Sequence, residues 1–498
     1  MNVFSNIFST LILLSSTFAE EIFVERSFAT SVATMASLVY TEERLLKILT
    51  MYIATLENKV ESLKSLIEKL KADNLESLQD PESYLSNPFN YFGLTRHMQA
   101  DWTNIEHYIL EPVGEEYSRA MAAHHIEMPT ATDLGEAVEG MHRLQTMCNL
   151  DIYAMSKGIL NGQQYKARLS SLDLYTIAVH LFHQKYYRDA AYWVKSSILS
   201  YEADRLNEFL GCDRTKMLIL SAEILIHLRR SRYALAILQS GLQLEPSNLK
   251  LLNHKNEVES LTKNGTITPY QYLDDKPQNQ YDFSCHKELP NTYGKLYCVY
   301  NTNTSAFLRL APLKMELLSL DPYIALYHEV LTNNEITRMR TWATPHLQRA
   351  KIYDNRIHME TTVKERTSQA TAVPEFGEIN ARINRRITDM TGLDVSASEP
   401  LQILNYGIGG HNTVHYDCFN VPMMTDVEHG GNTVFPIIQK TIHPQKATAL
   451  FFYNLDNALK MDLNTLHEAC PVIVGSKWIA TKWIRSNAQM FIRPCRRY

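Results

Sequence analysis

An unbroken heptad pattern between Thr41 and Leu78 constrains the fold of this chain more than any other feature. Apolar residues recur there at alternating spacings of three and four, at Leu46, Leu49, Ile53, Leu56, Val60, Leu63, Ile67 and Leu70. This run predicts one long helix with a coiled-coil seam, flanked by Glu and Lys. We expect self-association through the seam; the alternative is a long amphipathic helix packed on its own domain. Asp80-Pro81 then ends the helix.

Length and charge narrow the class of protein. The chain has 498 residues and a formal net charge of −5. That length predicts about three domains, each large enough to bury a core. The near balance of charge, without a long basic run, argues against nucleic acid as a partner. Beyond the N-terminal residues no stretch reaches about 18 consecutive apolar residues, so we expect no membrane span.

The first residues predict a targeting signal. The apolar run Ile7 to Phe18 is followed by Ala19 and then by acidic residues, which is the pattern of a signal peptide over residues 1–19. A buried N-terminal helix is the alternative. We therefore expect a lumenal or secreted protein, in which the sequons at Asn264 and Asn303 are candidate glycosylation sites.

The seven cysteines suit an oxidising compartment. Cys285 and Cys298 are spaced to close a short loop, and so are Cys470 and Cys495, so both pairs are candidate disulfides. Zinc is the alternative, although no Cys-X-X-Cys pair supports it. The remaining cysteines are Cys148, Cys212 and Cys418.

Residues 163–262 form a different pattern, that of paired amphipathic helices. The second pair ends in the sequence LQLEPSN, an ending common in tetratricopeptide repeats. Stacked helix pairs leave a concave face that suits an extended peptide. The candidate aromatics for that face are Tyr175, Tyr186, Tyr187 and Trp193. Each of them could equally be a core residue.

Residues 323–498 consist of short alternating apolar runs separated by glycine turns, which predicts strands and a jelly roll. The expected organisation is multidomain α + β. A helical coiled-coil dimerisation domain over 20–162 precedes the tetratricopeptide-like peptide-binding domain over 163–262. A linker with a disulfide over 263–322 leads to a C-terminal double-stranded β-helix over 323–498.

The candidate chemistry lies in that last domain. His415 and Asp417 stand two apart in the strand-like piece GGHNTVHYD, so their side chains point to one face. His467 follows 50 residues later, before another strand. Two histidines and one carboxylate on a β scaffold are typical of non-haem Fe(II) oxygenases, because this triad leaves coordination positions open. A lone His-X-Asp pair would be weak evidence.

Lys477 makes the pattern more specific. It lies ten residues past His467, inside an apolar strand beside Val474, Trp478 and Ile479. Burying a lysine there is unfavourable unless it meets an anion, and the far carboxylate of 2-oxoglutarate is such an anion. The alternative is a lysine at an edge strand whose head reaches water.

The chain resembles the alpha subunit of collagen prolyl 4-hydroxylases. The motifs that carry the resemblance are NYGIGG, HYD, GGNTVFP, LFFYNL, HEACPVIVGSKWIATKWI and RPC. It implies iron ligands at His415, Asp417 and His467, and a 2-oxoglutarate site at Lys477 and Tyr406. It also implies ascorbate dependence and hydroxylation of proline in X-Pro-Gly sequences of collagen-like, Pro-rich peptides.

The same resemblance implies an assembly and a location. The expected assembly is an α₂β₂ tetramer in the lumen of the endoplasmic reticulum, whose β subunit is protein disulfide isomerase. The chain lacks a KDEL-type C-terminal signal, and retention by that partner would explain its absence.

Departures from the family pattern leave an alternative open. Only the segment CFNVPMMTDVEH separates Asp417 from Gly430, where the family has a longer loop and an interior strand. Loss of that strand would open the jelly roll. Asn412 stands where the family has a tyrosine near the iron. The alternative is a splice form or catalytically impaired paralogue that serves as a peptide-binding or isomerase-binding subunit.

Overall fold

The computed structural model describes residues 27–203, 207, 209–263, 285, 297–354, 359–374, 377–416, 421–456 and 458–492. The predicted signal peptide, the sequon at Asn264, Asp417, Cys418 and Cys495 lie outside these ranges. Within them, no helix is both long enough and apolar enough to cross a membrane.

The N-terminal half is helical. Its helices are α1 (Val32–Gln79), α2 (Pro81–Leu85), α3 (Pro88–Arg96), α4 (Trp102–Leu110), α5 (Glu115–Ala122), α6 (Ala131–Thr146) and α7 (Ile152–Ser156). A short hairpin of β1 (Ile159–Leu160) and β2 (Gln163–Gln164) follows. The predicted long helix is confirmed, and it begins earlier than the heptads, because the Ser31 side chain caps it by accepting from the backbone of Thr34.

The heptad seam of α1 faces outward over much of its length. Leu46, Leu49, Ile53, Val60 and Ile67 are 41 to 57% exposed. Apolar residues repeated along one stripe and left in water are typical of a surface that another helix covers. The expected self-association through this seam stays a prediction.

The predicted helix pairs follow. They are α8 (Ser171–His183) with α9 (Tyr187–Leu199), α10 (Arg214–His227) with α11 (Ser231–Leu244), and the single α12 (Leu249–Lys263). Ser170 and Asp173 form a capping box that begins α8. The tetratricopeptide-like character of these helices stays a prediction.

The structure separates the four candidate aromatics of this module. Tyr186 is 52% exposed, whereas Tyr187 is partly buried and stacks on His227, with ring centroids 4.5 Å apart. Tyr175 is also partly buried. Trp193 is 0% exposed and donates its indole N–H to the side-chain oxygen of Gln145. Its assignment to the peptide face is wrong, because this position of α9 faces the core.

The C-terminal domain is built on two facing sheets. Its strands are β3 (Cys298–Asn301), β4 (Leu313–Leu320), β5 (Tyr323–His328), β6 (Gln348–Arg349), β7 (Ile352–Asp354), β8 (Met359–Thr361), β9 (Ser368–Ala372), β10 (Gln402–Tyr406), β11 (Asn412–His415), β12 (Val421–Pro422), β13 (His429–Gly430), β14 (Thr433–Phe435), β15 (Lys440–Ile442), β16 (Ala449–Phe452), β17 (His467–Ala469), β18 (Val472–Val474) and β19 (Lys477–Thr481). The predicted jelly roll is consistent with this arrangement.

The larger face joins two runs of strands. One has the order β19-β10-β9-β6, and the other has the order β12-β16-β5-β4-β3. The opposing sheet has the order β11-β17-β14-β15. Helices α13 (Asn333–Ala343) and α14 (Glu378–Thr391) pack their apolar residues against the outer face of β10 and β19, in a cluster that includes Ile336, Ile387, Ile403 and Trp478.

The predicted boundary at residue 323 is wrong. Strands β3 and β4 lie inside the expected linker 263–322, yet β4 pairs with β5 over most of its length and β3 pairs with β4. The sheet therefore begins at Cys298. The largely apolar run LKMELLSL of β4 lies inside the segment that was assigned to the linker, and its strand character was overlooked.

From Val421 onward, the shortened segment before Gly430 is bonded into the jelly roll. Val421–Pro422 pairs with β16, and Met423 forms an isolated bridge with Ile479 of β19. The Met424 backbone N–H donates to the Trp478 carbonyl at 2.9 Å. A few residues thus bond to the strand on either side and close the seam, so the expected exposed backbone is absent from this part of the described chain.

The disulfide predictions need a correction. Cys285 is bonded to Cys470 and therefore not to Cys298, which is a free, exposed cysteine at the start of the edge strand β3. Cys470 follows β17 in the opposite sheet and is likewise not bonded to Cys495. Short sequence separation misled the prediction, because the fold brings distant residues together.

Candidate active site

A small cavity of about 60 Å³ lies between the two sheets. The larger face contributes residues of β10, β16 and β19, and the opposing sheet contributes residues of β11, β14 and β17. The lining consists of Arg366, Leu404, Tyr406, Asn412, His415, Met423, Thr433, Leu450, Phe452, His467, Ala469, Lys477, Ile479, Thr481 and Trp483. Three of the four predicted catalytic residues, His415, His467 and Lys477, therefore share one cavity.

His415 and His467 are directly opposite each other on neighbouring strands. Their backbones are register partners in the β11–β17 pair, and their ring centroids are 4.4 Å apart. Side chains of directly opposed residues emerge on the same face of a sheet, which brings both imidazoles to the cavity. His467 is buried among Phe435 and Phe452, whose rings contact it.

The backbone sets the tautomer of both rings. Nδ1 of His415 is 2.6 Å from the Thr413 carbonyl oxygen, and Nδ1 of His467 is 3.0 Å from the Thr465 carbonyl oxygen. A carbonyl oxygen only accepts, so each Nδ1 is a donor and its ring is held by the backbone of its own strand region. Imidazoles oriented in this way by their Nδ1 contacts have Nε2 as the nitrogen that can ligate a metal.

Asn412 and His411, which lie close to His415 in the sequence, each make a side-chain hydrogen bond. The Asn412 side-chain nitrogen lies 2.9 Å from Nε2 of His415, so the amide donates to it. His411 is buried and shares a hydrogen bond with the Thr367 hydroxyl at 2.7 Å. Burial, together with the charges of Arg143 and Arg349, lowers the pKa of His411 to about 3. His411 thus stays neutral and belongs to the packing behind the strand.

Lys477 lies on the larger face, across the cavity from the histidines. It is 1% exposed, and burial alone lowers the pKa of its ammonium to about 7. Its Nζ lies 5.1 Å from the ring centroid of Tyr406, its register partner on β10. The two-residue period of the strands puts Leu404, Tyr406, Lys477 and Ile479 on the cavity side.

These residues fit Fe(II) and 2-oxoglutarate. Two imidazoles that line one cavity supply nitrogen ligands of the kind that ferrous sites use, and the Asn412 amide that donates to Nε2 of His415 would turn away when a metal binds. Among the residues that the structure describes, the cavity lining contains no carboxylate to neutralise Lys477. A buried ammonium in that position needs an anion from outside the chain, and a dicarboxylate coordinated near the histidines would bring one.

Sequence reasoning missed Arg366, which lines the cavity and is bridged through its backbone to Asn412. Its Nη1 donates to the Lys351 carbonyl at 3.3 Å. A basic residue just before a strand of small residues was the available signal. Arg366 gives the cavity wall a positive charge besides Lys477.

One further group of potential metal ligands occurs within the described ranges. It comprises Cys285, Glu468 and Cys470. Because the two sulfurs form a disulfide, they are not available as thiolates, and this group is not a metal site in the oxidised protein.

Comparison with known proteins identifies the class first. The 2OG-Fe(II) oxygenase superfamily matches residues 401–485, which contain both histidines and Lys477. The C-terminal domain is therefore an oxygenase domain that depends on iron and 2-oxoglutarate. A second family, described as the N-terminal region of the prolyl 4-hydroxylase alpha subunit, matches residues 31–162.

Full-length relatives identify the family. Prolyl 4-hydroxylase subunit alpha-2 of Gallus gallus is 30% identical over 95% of this chain and 96% of its own length. Subunit alpha-1 of Rattus norvegicus is 28% identical and that of Homo sapiens 29%, each over 94% of this chain and 95% of the relative. The chain belongs to the prolyl 4-hydroxylase alpha-subunit family.

Proposed function

We propose that this chain hydroxylates proline in X-Pro-Gly sequences of collagen-like peptides. The observation that supports this most is the shared cavity of His415, His467 and Lys477 between two facing sheets. Bound Fe(II) would supply the centre at which dioxygen is activated while 2-oxoglutarate is decarboxylated, and ascorbate would serve as the reductant typical of the family.

Each side chain has a distinct role in this proposal. His415 and His467 would hold the metal through Nε2, since their Nδ1 atoms donate to carbonyls. Asp417, outside the described residues, is proposed as the third ligand. Lys477 would pair with the remote carboxylate of 2-oxoglutarate, beside the ring of Tyr406. The enclosing apolar walls, including Leu450 and Phe452, would exclude water from the reacting atoms.

The helical module is proposed to bind the peptide. A polyproline II segment is stiff and offers pyrrolidine faces rather than charges, so aromatic side chains are its natural partners. Tyr186 is the most accessible of the predicted aromatics, and its ring contacts that of His142 at a centroid distance of 4.9 Å. Tyr187 and Tyr175 are proposed to support the same surface from partly buried positions.

The assembly is proposed to follow the family. The exposed heptad seam of α1 would pair two alpha subunits, and protein disulfide isomerase would be the β subunit that keeps the complex in the lumen of the endoplasmic reticulum. A signal peptide over residues 1–19 and the Cys285–Cys470 disulfide suit that compartment.

A coupled assay tests the proposal. The purified complex, supplied with Fe(II), ascorbate and a (Pro-Pro-Gly) repeat peptide, should release carbon dioxide from 2-oxoglutarate and form 4-hydroxyproline. Lys477→Met should abolish both products at ordinary 2-oxoglutarate concentrations. Lys482→Met is the control, because Lys482 is equally buried but does not line the cavity.

The rival function is a non-catalytic subunit that binds peptide or isomerase. It predicts peptide binding without turnover by the wild-type complex. Its main support in the sequence was the short segment after Asp417, but Val421–Met424 closes the seam between β16 and β19. The structure thus removes the principal reason to favour it.

A further inference from the structure

The residues before and at the start of α1 pack against the C-terminal domain. We call Ser27–Thr34 the N-terminal segment. Phe28 is 3% exposed, and the Gly407 backbone N–H donates to the Thr30 carbonyl at 2.9 Å. The Thr34 hydroxyl donates to the side-chain oxygen of Gln369 at 2.7 Å, and Gln369 donates back to the Ser27 carbonyl.

The contact is close enough to require a glycine. A Cβ atom at Gly407 would lie 2.4 Å from the Ala29 carbonyl oxygen and 3.0 Å from the Ser31 nitrogen. Ala33, in the first turn of α1, packs into the apolar cluster beneath β10 and β19. The N-terminal segment is therefore part of the layer that covers the outer face of the larger sheet.

Asn405 joins this segment to the strand that carries Lys477. Its Oδ1 accepts from the Ser31 hydroxyl at 2.7 Å and from the Ala33 backbone N–H at 3.1 Å. Its Nδ2 donates to the Ser476 hydroxyl and to the Lys477 carbonyl, each at 3.1 Å. All four hydrogen-bonding positions of this amide are used, and the residue is 0% exposed.

The geometry places the two ends of this network on opposite sides of one sheet. Asn405 faces outward while its neighbour Tyr406 faces the cavity, as the alternation of a strand requires. The Lys477 backbone meets Asn405, and the Lys477 side chain enters the cavity. Two hydrogen bonds in series, from Ser31 to Asn405 and from Asn405 to the Lys477 carbonyl, therefore connect the position of the N-terminal segment to that of Lys477.

We infer that Asn405 is a positioning residue for 2-oxoglutarate, held in place by the N-terminal segment, so that docking of this segment and binding of 2-oxoglutarate are thermodynamically linked. This inference rests on the proposed role of Lys477. Linkage is reciprocal: a loosened segment weakens 2-oxoglutarate binding, and bound 2-oxoglutarate holds the segment more firmly against the sheet.

Calorimetry on the full-length protein, with Mn(II) in place of Fe(II) and without oxygen, tests the first half. Asn405→Leu keeps the approximate shape but removes four hydrogen bonds, and Ser31→Ala removes one of these four together with the N-cap bond that Ser31 accepts from the Thr34 backbone. The dissociation constant for 2-oxoglutarate should rise about tenfold in Asn405→Leu and severalfold in Ser31→Ala. The constant for Mn(II) should not change. Ser37→Ala is the control, since the exposed Ser37 hydroxyl donates to the Thr34 carbonyl within its own helix; it should leave 2-oxoglutarate affinity unchanged.

Hydrogen exchange tests the second half. Addition of 2-oxoglutarate to the Mn(II) protein should slow amide exchange in the N-terminal segment, and should not do so in Lys477→Met. If Asn405→Leu does not fold, the affinity of Ser31→Ala and the exchange experiment test the inference without it. Unchanged affinity in Ser31→Ala together with unchanged exchange would overturn the inference. Wild-type affinity in Lys477→Met would instead overturn the proposed role of Lys477.

Discussion

Replacement of Lys477 by methionine should have opposite effects on the free and the ligand-bound protein. The ammonium of Lys477 is buried against Tyr406, and burial lowers its pKa from 10.5 to about 7. The charged form is thus disfavoured in the folded protein when no anion is present. A lowering of that size corresponds to about 5 kcal/mol of folding free energy.

The pH dependence follows from linkage. Between pH 7 and pH 10.5 the unfolded chain holds a proton on Lys477 that the folded chain has released, so the stability of the wild type rises with pH across that window. Lys477→Met removes this group. In metal-free protein without 2-oxoglutarate, the variant should be more stable than wild type by several kcal/mol below pH 7, and the difference should vanish above pH 10.5.

With 2-oxoglutarate the sign reverses. Loss of the lysine leaves the remote carboxylate buried without a partner, which lowers affinity by about 3–5 kcal/mol, or more than a hundredfold. Thermal unfolding at pH 6.5 and 9.5, followed by calorimetric titration of the Mn(II) protein with 2-oxoglutarate, measures both effects. Lys482→Met controls for loss of a buried lysine outside the cavity. A variant that is no more stable at low pH, or that binds 2-oxoglutarate like wild type, would refute the reasoning.

Three further changes test other parts of the structure. His467→Ala should weaken the affinity for Mn(II) or Fe(II) at least a hundredfold, so that little metal is retained after dialysis. His443→Ala, at an exposed histidine, should retain as much metal as the wild type. Equal retention by both variants would exclude His467 as a ligand. Mass spectrometry of unreduced peptides should find Cys285 linked to Cys470, and Cys285→Ser should destabilise the protein by about 5 kcal/mol, since the bridge spans 185 residues; any other pairing contradicts the fold. Tyr186→Ala should weaken binding of a (Pro-Pro-Gly) peptide roughly tenfold without changing the dissociation constant for 2-oxoglutarate; a change in the latter alone would place Tyr186 outside the peptide surface.

Periodicity predicted the elements that depend on local pattern. The heptads predicted α1, and the alternating runs predicted strands around His415, His467 and Lys477, because both patterns report which face of a single element is apolar. The common cavity could also be anticipated, since a two-residue spacing and a strand-borne lysine limit where side chains can point.

Features that depend on contacts between residues distant in the sequence could not be predicted from it. The Cys285–Cys470 bond joins residues whose separation carries no local signal. Trp193 was assigned to the surface because an aromatic on an amphipathic helix can face either way, and packing against the preceding helices decides. The short segment ending in Met424 joins β16 to β19 through a few backbone hydrogen bonds on each side. The length of a segment in the sequence does not show that so few bonds are enough.

The anchored first turn of α1 has a consequence for how two catalytic centres are spaced. Its 48 residues extend about 70 Å at 1.5 Å per residue, and one end is held on the catalytic sheet through Asn405. If two copies pair antiparallel along the heptad seam, their anchored ends lie about one helix length apart, and the helix acts as a ruler between their cavities. A proline-rich strand advances about 3.1 Å per residue, so such a ruler corresponds to roughly 20 to 25 residues of substrate, a length over which one long chain could engage both centres at once.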